Sequence, residues 1–342
     1  MILHRIPYYA AELKSALPAG VFAPSRSRLV WFPVHVAIIA LSATLISQHP
    51  VSWIVACFLS LAIGSAFAGL TFLAHETLHG AVVRDQRIRY AIGLFSLLPF
   101  TLSPRLWIAW HNRVHHSNAN RAGVDPDANP TLEEYRASRR VRFITDHFAL
   151  GRGSWTGAIG LLVGFSVQSA HMLFSARTRG FLSTRAHRLA IAETAVGIAL
   201  WTSLAVVLGF HAFVFVFVLP LIVANAIVMA FIMTNHSLSP LTDVNDPLVN
   251  SLSVTAPRWL EWLTLRFGYH VEHHLFPSMS SRHAPRVREV LRERWPERYQ
   301  SMSLARALRK LHRTGRVYEE PTTLFDPRTG RRWSTLLPRA SP

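Results

Sequence analysis

Apolar residues in this chain are gathered into long blocks, with the charged residues collected between them. The first two blocks run from about 30–47 and 52–74. At ~1.5 Å rise per residue, each is long enough as a helix to cross a hydrocarbon layer of ~30 Å. The link Gln48-His49-Pro50-Val51 suits a tight helical hairpin. A later pair runs from about 189–208 and 211–234, with Glu193 its only charge, near one end. Two further stretches are weaker. Residues 90–104 are short and hold Pro99 and Pro104, and residues 156–177 include Gln168, His171 and several Gly and Ser. Both read as interfacial or half-buried helices.

The pattern therefore predicts an all-α integral membrane protein, with four transmembrane helices as two hairpins plus interfacial helices. Residues 1–29 read as an N-terminal cytoplasmic tail without the apolar core of a signal peptide. Residues 30–280 read as the main domain. Residues 281–342 read as a basic cytoplasmic region, part of a cap or tail, with helical stretches near 284–295 and 303–313.

Composition sharpens this picture. The chain has 342 residues, is 50% hydrophobic and carries a net charge of +17. Its mean hydropathy of +0.22 is high for a soluble domain so strongly charged. Segregating apolar and basic residues resolves the conflict, as in a membrane protein. The lone Cys57 lies in an apolar run, which excludes an intramolecular disulfide and a cysteine metal site. The basic residues flank apolar spans and form no nucleic-acid module, so anionic lipid headgroups are their expected partners and nucleic acid is not. The two short links carry no Lys or Arg, whereas the segment from Arg84 to Arg152 carries many. By the positive-inside rule both termini face the cytoplasm of a multi-pass protein, with a bacterial inner membrane the expected location.

The polar segments hold the candidate chemistry. Three histidine clusters stand just outside apolar blocks: His75 and His79; His111, His115 and His116; His270, His273 and His274. Helical residues at i and i+4 share a face, which groups His75 with His79, His111 with His115, and the third trio together. His116, about 100° further round, is placed to reach a second metal. These imidazoles are too many for one tetrahedral zinc and suit two metal ions, but ligand type alone does not separate iron, copper, zinc or nickel. His236, just past the last apolar block, is a ninth candidate ligand. Asn235 beside it, Glu76, Glu272, Asp125 and Asp127 are candidates to orient the ligating imidazoles. Clusters that share a site must face one side of the membrane, so an even number of crossings separates them. The remaining histidines lack partners at ligand spacing and read as structural or surface residues. The residues alone thus describe a membrane-embedded dimetal protein with apolar walls for a hydrophobic substrate.

The joint pattern resembles the membrane-bound, histidine-box fatty acid desaturase family. It is carried by His75-Glu76-Thr77-Leu78-His79-Gly80, by Trp110 through His116, and by Tyr269-His270-Val271-Glu272-His273-His274-Leu275-Phe276-Pro277. The resemblance covers roughly residues 30–280 and implies a non-haem centre of two Fe in a cytoplasmic cap. That centre uses O2 as co-substrate to remove two hydrogens from an acyl-lipid or acyl thioester. It also implies a separate electron donor, a ferredoxin or cytochrome-type protein with its reductase. The family's iron ligands match His75, His79, His111, His115, His116, His270, His273 and His274, with His236 as the additional histidine. No catalytic group beyond these ligands is implied.

Two details narrow the resemblance. Three residues separate His75 and His79, where animal acyl-CoA delta-9 enzymes have four. The third cluster begins with His270, where front-end desaturases have glutamine. Both point to acyl-lipid or bacterial desaturases. No fused cytochrome b5 domain is seen, so the donor is expected to be another protein, docked through the basic face. Two other readings share these residues. A lipid hydroxylase or carotenoid ketolase begins with the same hydrogen abstraction. A metal-handling transporter would place its histidines within the spans.

Overall fold

The computed structural model describes residues 2–338. It is built of helices, with five short strands confined to the cap. Four helices are long and apolar enough to cross a membrane: Arg26–Gln48, Trp53–Leu78, Ala158–Ser175 and Thr184–His236. The last is two arms rather than one rod. Gly209 breaks it at φ 75° and ψ 161°, a conformation that a residue with a Cβ rarely adopts. The break falls between the two apolar blocks read from the sequence.

Below Gly209 the second arm starts with a π-helical turn, Val214–Val218. Pro220 follows it and has no N–H to return to the carbonyl of Phe215. Ser60 from the second span donates to that carbonyl at 2.6 Å instead. The same two helices meet at Gly64, where a Cβ would lie 2.6 Å from the Val223 Cβ. Absence of a side chain lets the backbones approach, as helix contacts in a membrane require. The second span is thereby sandwiched between the first span and the second arm, and it carries its buried C-terminal half toward the cap.

The Ala158–Ser175 helix packs along the second arm. It is apolar enough to cross by composition, although the sequence pattern suggested an interfacial element. Its middle is polar-bonded at the level of the cap: Gln168 donates to Asp127 at 2.6 Å. Near the start of the first arm, Glu193 accepts from Tyr90, from Ser103 at 2.5 Å and from Arg105 at 2.9 Å. This polar knot pins the arm to the short helix Gln86–Ser96, itself too short to cross.

The cap closes over the ends of these helices. The N-terminal segment read as a tail is a helix, Ile6–Ala16, whose Tyr9 and Leu13 are buried against the cap. Tyr9 and Arg298 converge on the buried carboxylate of Asp246, at 3.0 and 2.6 Å. The C-terminal region contributes helices Ala284–Arg294 and Leu304–Arg313 and most of the strands. β1 (Ser253–Thr255) pairs in parallel with β2 (Ser301–Ser303). β3 (Val317–Glu320), β4 (Thr323–Phe325) and β5 (Arg332–Ser334) form an antiparallel sheet. Arg316 is buried and donates to the carbonyls of Leu150, Ser237 and Leu311 at 2.8–2.9 Å. Burial among carbonyls lowers its pKa to about 10. One of those carbonyls, Ser237, directly follows His236, so the C-terminal region is tied to the end of the second arm.

Candidate metal centre

All nine candidate histidines converge where the second span, the second arm and the cap meet. They form two nests. His75, His79, His111, His116 and His273 make one, and His115, His236, His270 and His274 make the other. Within each nest the ligand atoms lie within 4.8 Å of one another.

The partition differs from the one the spacing suggested. His111 was expected to pair with His115, and His270, His273 and His274 were expected to act together. His111 does stand with His115, in a further group with Asp127, but His116 also joins His111, His115 sits among the rings of the second nest, and His273 leaves its two neighbours for the first. The cause is local winding. Residues Ile108–His115 form a π-helical stretch, closed by the His116 N–H on the His111 carbonyl. Hydrogen bonding from i to i+5 widens the turn, so both the fourth and the fifth residue return near the first. Consecutive histidines then serve different nests. His273 and His274 do the same at the end of the short helix His270–Leu275.

The donor atoms fit metal ions. Nε2 of His111 and His116 are 3.3 Å apart, and those of His116 and His273 are 3.1 Å apart. In the second nest, His270 and His274 approach at 3.1 Å and His236 and His270 at 2.6 Å. Two nitrogens on one metal at ~2.1 Å stand about 3.0–3.4 Å apart, close to most of these separations. Nε2 of His75 and His79 are buried without a hydrogen-bond partner among the described residues, as expected of lone pairs reserved for a ligand.

Electrostatics favours the ligating form. Burial, reinforced by mutual repulsion among the rings, pushes His79, His111, His116, His270 and His274 well below the usual imidazole range. Burial and the neighbouring His115 and His236 bring His273 down to about 3. Neutral imidazoles bind metal without first losing a proton. His115 is the exception. Burial opposes its charge, but Asp125 and Asp127 outweigh that and raise it to about 9.

Those carboxylates form the clearest outer support. His115 Nδ1 lies 2.9 Å from Asp125 and 3.4 Å from Asp127. An N–H held on a carboxylate fixes the ring and leaves Nε2 for the metal. Asp125 is fixed in turn by the backbone N–H of Asn120 at 2.7 Å, and Asp127 by Trp110 at 3.1 Å and Gln168. His236 Nδ1 meets the Asn250 carbonyl at 3.2 Å. Trp107 stacks on His111 with ring centroids 4.5 Å apart.

The other proposed supports touch no imidazole by hydrogen bond. Glu76 accepts from Ser280 and from the Ser281 N–H, and lies 3.5 Å from Arg28. Glu272 is fully buried with Arg288 at 3.1 Å, Tyr299 at 2.6 Å and Ser253 at 2.5 Å. Both follow or precede a ligand by one residue, about 100° round the helix, and so face the packed cap. The Asn235 side chain is buried without a hydrogen-bond partner among the described residues, while its backbone carbonyl accepts from the Leu252 N–H at 2.8 Å. Sequence reasoning missed Asn250 and Trp107, which carry no local signal, and it noted Gln168 only as an oddity in an apolar run.

Apolar space lies on the membrane side of the nests. A small void of about 30 Å³ touches His75, His111, His115 and His270 and is walled by Trp107 and Phe165. Phe165 packs edge-on against Phe100 at 4.8 Å. Beyond Phe100 opens a groove of about 660 Å³ between the two arms and the Ala158–Ser175 helix, lined by Leu106, Leu173, Ile198, Trp201 and Phe217.

Comparisons with known proteins agree with this geometry. The profile of the family described as Fatty acid desaturase matches residues 50–306. The chain is 22% identical over 296 residues to the sn-1 oleoyl-lipid 12-desaturase of Synechocystis sp., covering 83% of this chain and 81% of that one. It is 29% identical over 136 residues to the sn-1 acyl-lipid omega-3 desaturase (ferredoxin) of Synechocystis sp., covering 38% and 36%. It is 24% identical over 234 residues to the Acyl-lipid (9-3)-desaturase of Borago officinalis, covering 61% and 51%.

Proposed function

The chain belongs to the fatty acid desaturase family, and on that premise we propose that this enzyme removes two hydrogens from an acyl chain carried by a membrane lipid. The overall change converts –CH2–CH2– to –CH=CH– while O2, two electrons and two protons become two waters. The observation that carries this reading is the pair of imidazole nests, with a small apolar-walled void against them and an apolar groove beyond Phe100. Two iron ions, one held by each nest, would supply the O2 activation that an unactivated C–H bond demands.

The protein's own residues do the rest. His75, His79, His111, His116 and His273 would hold one ion, and His115, His236, His270 and His274 the other. Asp125 and the Asn250 carbonyl orient His115 and His236 by their Nδ1 atoms. Trp107 and Phe165 keep the space below the nests apolar and dry. The groove accommodates the acyl chain and excludes water along its length.

Convergence of the clusters supports a topology. The clusters on either side of the two arms meet in one site, so an even number of crossings separates His116 from His236. The two arms supply two crossings. The Ala158–Ser175 helix then does not complete a third, and the Gln168–Asp127 bond at cap level supports that reading. The helix Ile6–Ala16 and the strands β3 to β5 lie with the cap, and the charge asymmetry supports a cytoplasmic side for it. Reducing equivalents come from a separate carrier. The ferredoxin named for one Synechocystis relative and the charge of +17 support a small acidic donor.

The test is the fatty-acid profile of cells expressing the chain beside cells expressing His273→Ala, read by gas chromatography–mass spectrometry. A new double bond in the wild type alone supports desaturation. A hydroxylated or keto product alone overturns it in favour of the sister chemistry.

A further inference from the structure

On the cap's membrane-facing rim, a cavity of about 240 Å³ is lined by Arg28, Arg266, Arg282, Trp31 and Trp262, with Ser27 and Glu261. Three guanidinium groups against one lining carboxylate is an unusual investment for a wall. The desaturase chemistry makes no use of it. Each guanidinium offers five N–H donors. Among the described residues, each makes a single side-chain hydrogen bond to protein: Arg28 to Ser281 at 3.0 Å, Arg266 to the Arg282 carbonyl at 2.7 Å, and Arg282 to Ser27 at 3.1 Å. Arg28 Nε is buried without a hydrogen bond, 3.5 Å from Glu76.

The backbone is strained to present this wall. Leu265 and Arg266 both have left-handed φ values, 51° and 62°. Two consecutive side-chain-bearing residues in that region are strained, a state found mainly where function requires the geometry. The field is felt nearby. Burial, then Arg282, Arg286, Arg28 and Arg266, hold His283 below its usual range.

Depth in the membrane identifies the ligand's source. Trp31 opens the first span. Trp262 belongs to the short helix Arg258–Leu263, where it and Trp259 are 62% and 68% exposed. Exposed tryptophans beside a span mark the headgroup level of a bilayer. Arginine forks at that level match the oxygens of a phosphodiester. Arg266 also lines a narrow crevice of about 20 Å³ that runs past Phe72 to His75 and His273. The void under the nests shares Phe72, His75 and Phe267 with that crevice. The rim thus borders residues that also wall the centre.

We infer that Arg28, Arg266 and Arg282 form a headgroup site for the phosphate of a membrane phospholipid, and that phospholipid is the acyl carrier this enzyme selects. This rests on the reading of the chain as acting on lipid-borne acyl groups, and it assigns the headgroup class.

The test is equilibrium binding of radiolabelled phosphatidylglycerol and of diacylglycerol with the same acyl chains to the purified full chain in detergent. The wild type is expected to prefer phosphatidylglycerol by about tenfold, the scale of one charge-assisted hydrogen bond. Arg266→Gln with Arg282→Gln is expected to erase that preference and leave diacylglycerol binding unchanged, which also shows the variant is folded. Equal affinity of the wild type for both lipids overturns the inference. Displacement of phosphatidylglycerol by millimolar inorganic phosphate, or by an acyl-CoA more strongly than by unlabelled phospholipid, assigns the arginines to a soluble phosphate and overturns the lipid assignment. Desaturation in cells is read separately. A product without headgroup preference sinks the inference and spares the enzymatic reading, and a binding preference without product does the reverse.

Discussion

The two histidine nests are built from the same residue type within a few ångströms of each other, yet they are supported differently. In the second nest all four rings are buried. His115 is backed by two carboxylates and His236 by a carbonyl. In the first nest His79 and His273 are only half-buried, and among the described residues no ring bonds a carboxylate or carbonyl; the buried Nδ1 of His116 has no partner, as is also true of His270 and His274 in the second nest. Outer-shell hydrogen bonds fix ring orientation and raise ligand basicity. Two rings of the second nest are therefore held in place by the protein, while the first nest lacks such bonds among the described residues and borders the crevice that leads to the rim. The contrast suggests one metal held for stability and one placed to meet the substrate.

The largest effect comes from removing a ligand on either side. His273→Ala and His274→Ala are adjacent changes, and each is expected to abolish desaturation. Each should leave about one iron per chain by elemental analysis, lost from different nests, because each nest is a separate site. Loss of both irons in either variant would merge the nests into one cooperative unit. Next is Asp125→Asn, which keeps shape but removes the charge at His115. A fall in iron affinity of about 10–100-fold at the second nest is expected, with the first unaffected. Chelation should then separate the wild-type metals in time. Iron is expected to leave in two phases, the faster from the first nest, and His79→Ala should lack the fast phase. A single phase would show equal support. The smallest effect is assigned to Gln168→Ala, which removes one hydrogen bond from Asp127. A loss of about 1 kcal/mol, read as a shift of a few-fold in iron affinity at the second nest, is expected.

Much of this was legible in the chain. The apolar blocks gave the spans because only helices of that length satisfy their backbone in lipid. Eight of the candidate histidines were legible because three clusters at helical spacing have few other causes, and His236 by its place just past the last apolar block. Asp125 and Asp127 were found by proximity to the second cluster. Glu76 and Glu272 misled for a geometric reason. A residue adjacent to a ligand in sequence lies on another face of the helix, and here each carboxylate is held by an arginine, Arg28 or Arg288, from a distant segment. The N-terminal helix was hidden because its burial depends on Asp246 and Arg298, which the sequence places hundreds of residues away or on the far side of the cap. The strands of the cap were hidden because each is three or four residues long.

The assignment of imidazoles to nests was legible only for His75 with His79 and for His270 with His274, pairs that i to i+4 spacing joins; the rest depends on helix winding rather than on residue identity. The π-helical stretch Ile108–His115 amounts to one residue more than an α-helix of the same span would hold. A chain shortened by one residue at Asn112, Arg113 or Val114 would keep every histidine. It would nevertheless move His115 and His116 round the axis by about 100° relative to His111. Such a deletion reassigns ligands between two metals without removing any, so an inventory of histidines would pass it as intact. For this centre, an insertion or deletion inside the second cluster is thus a change of wiring rather than of parts.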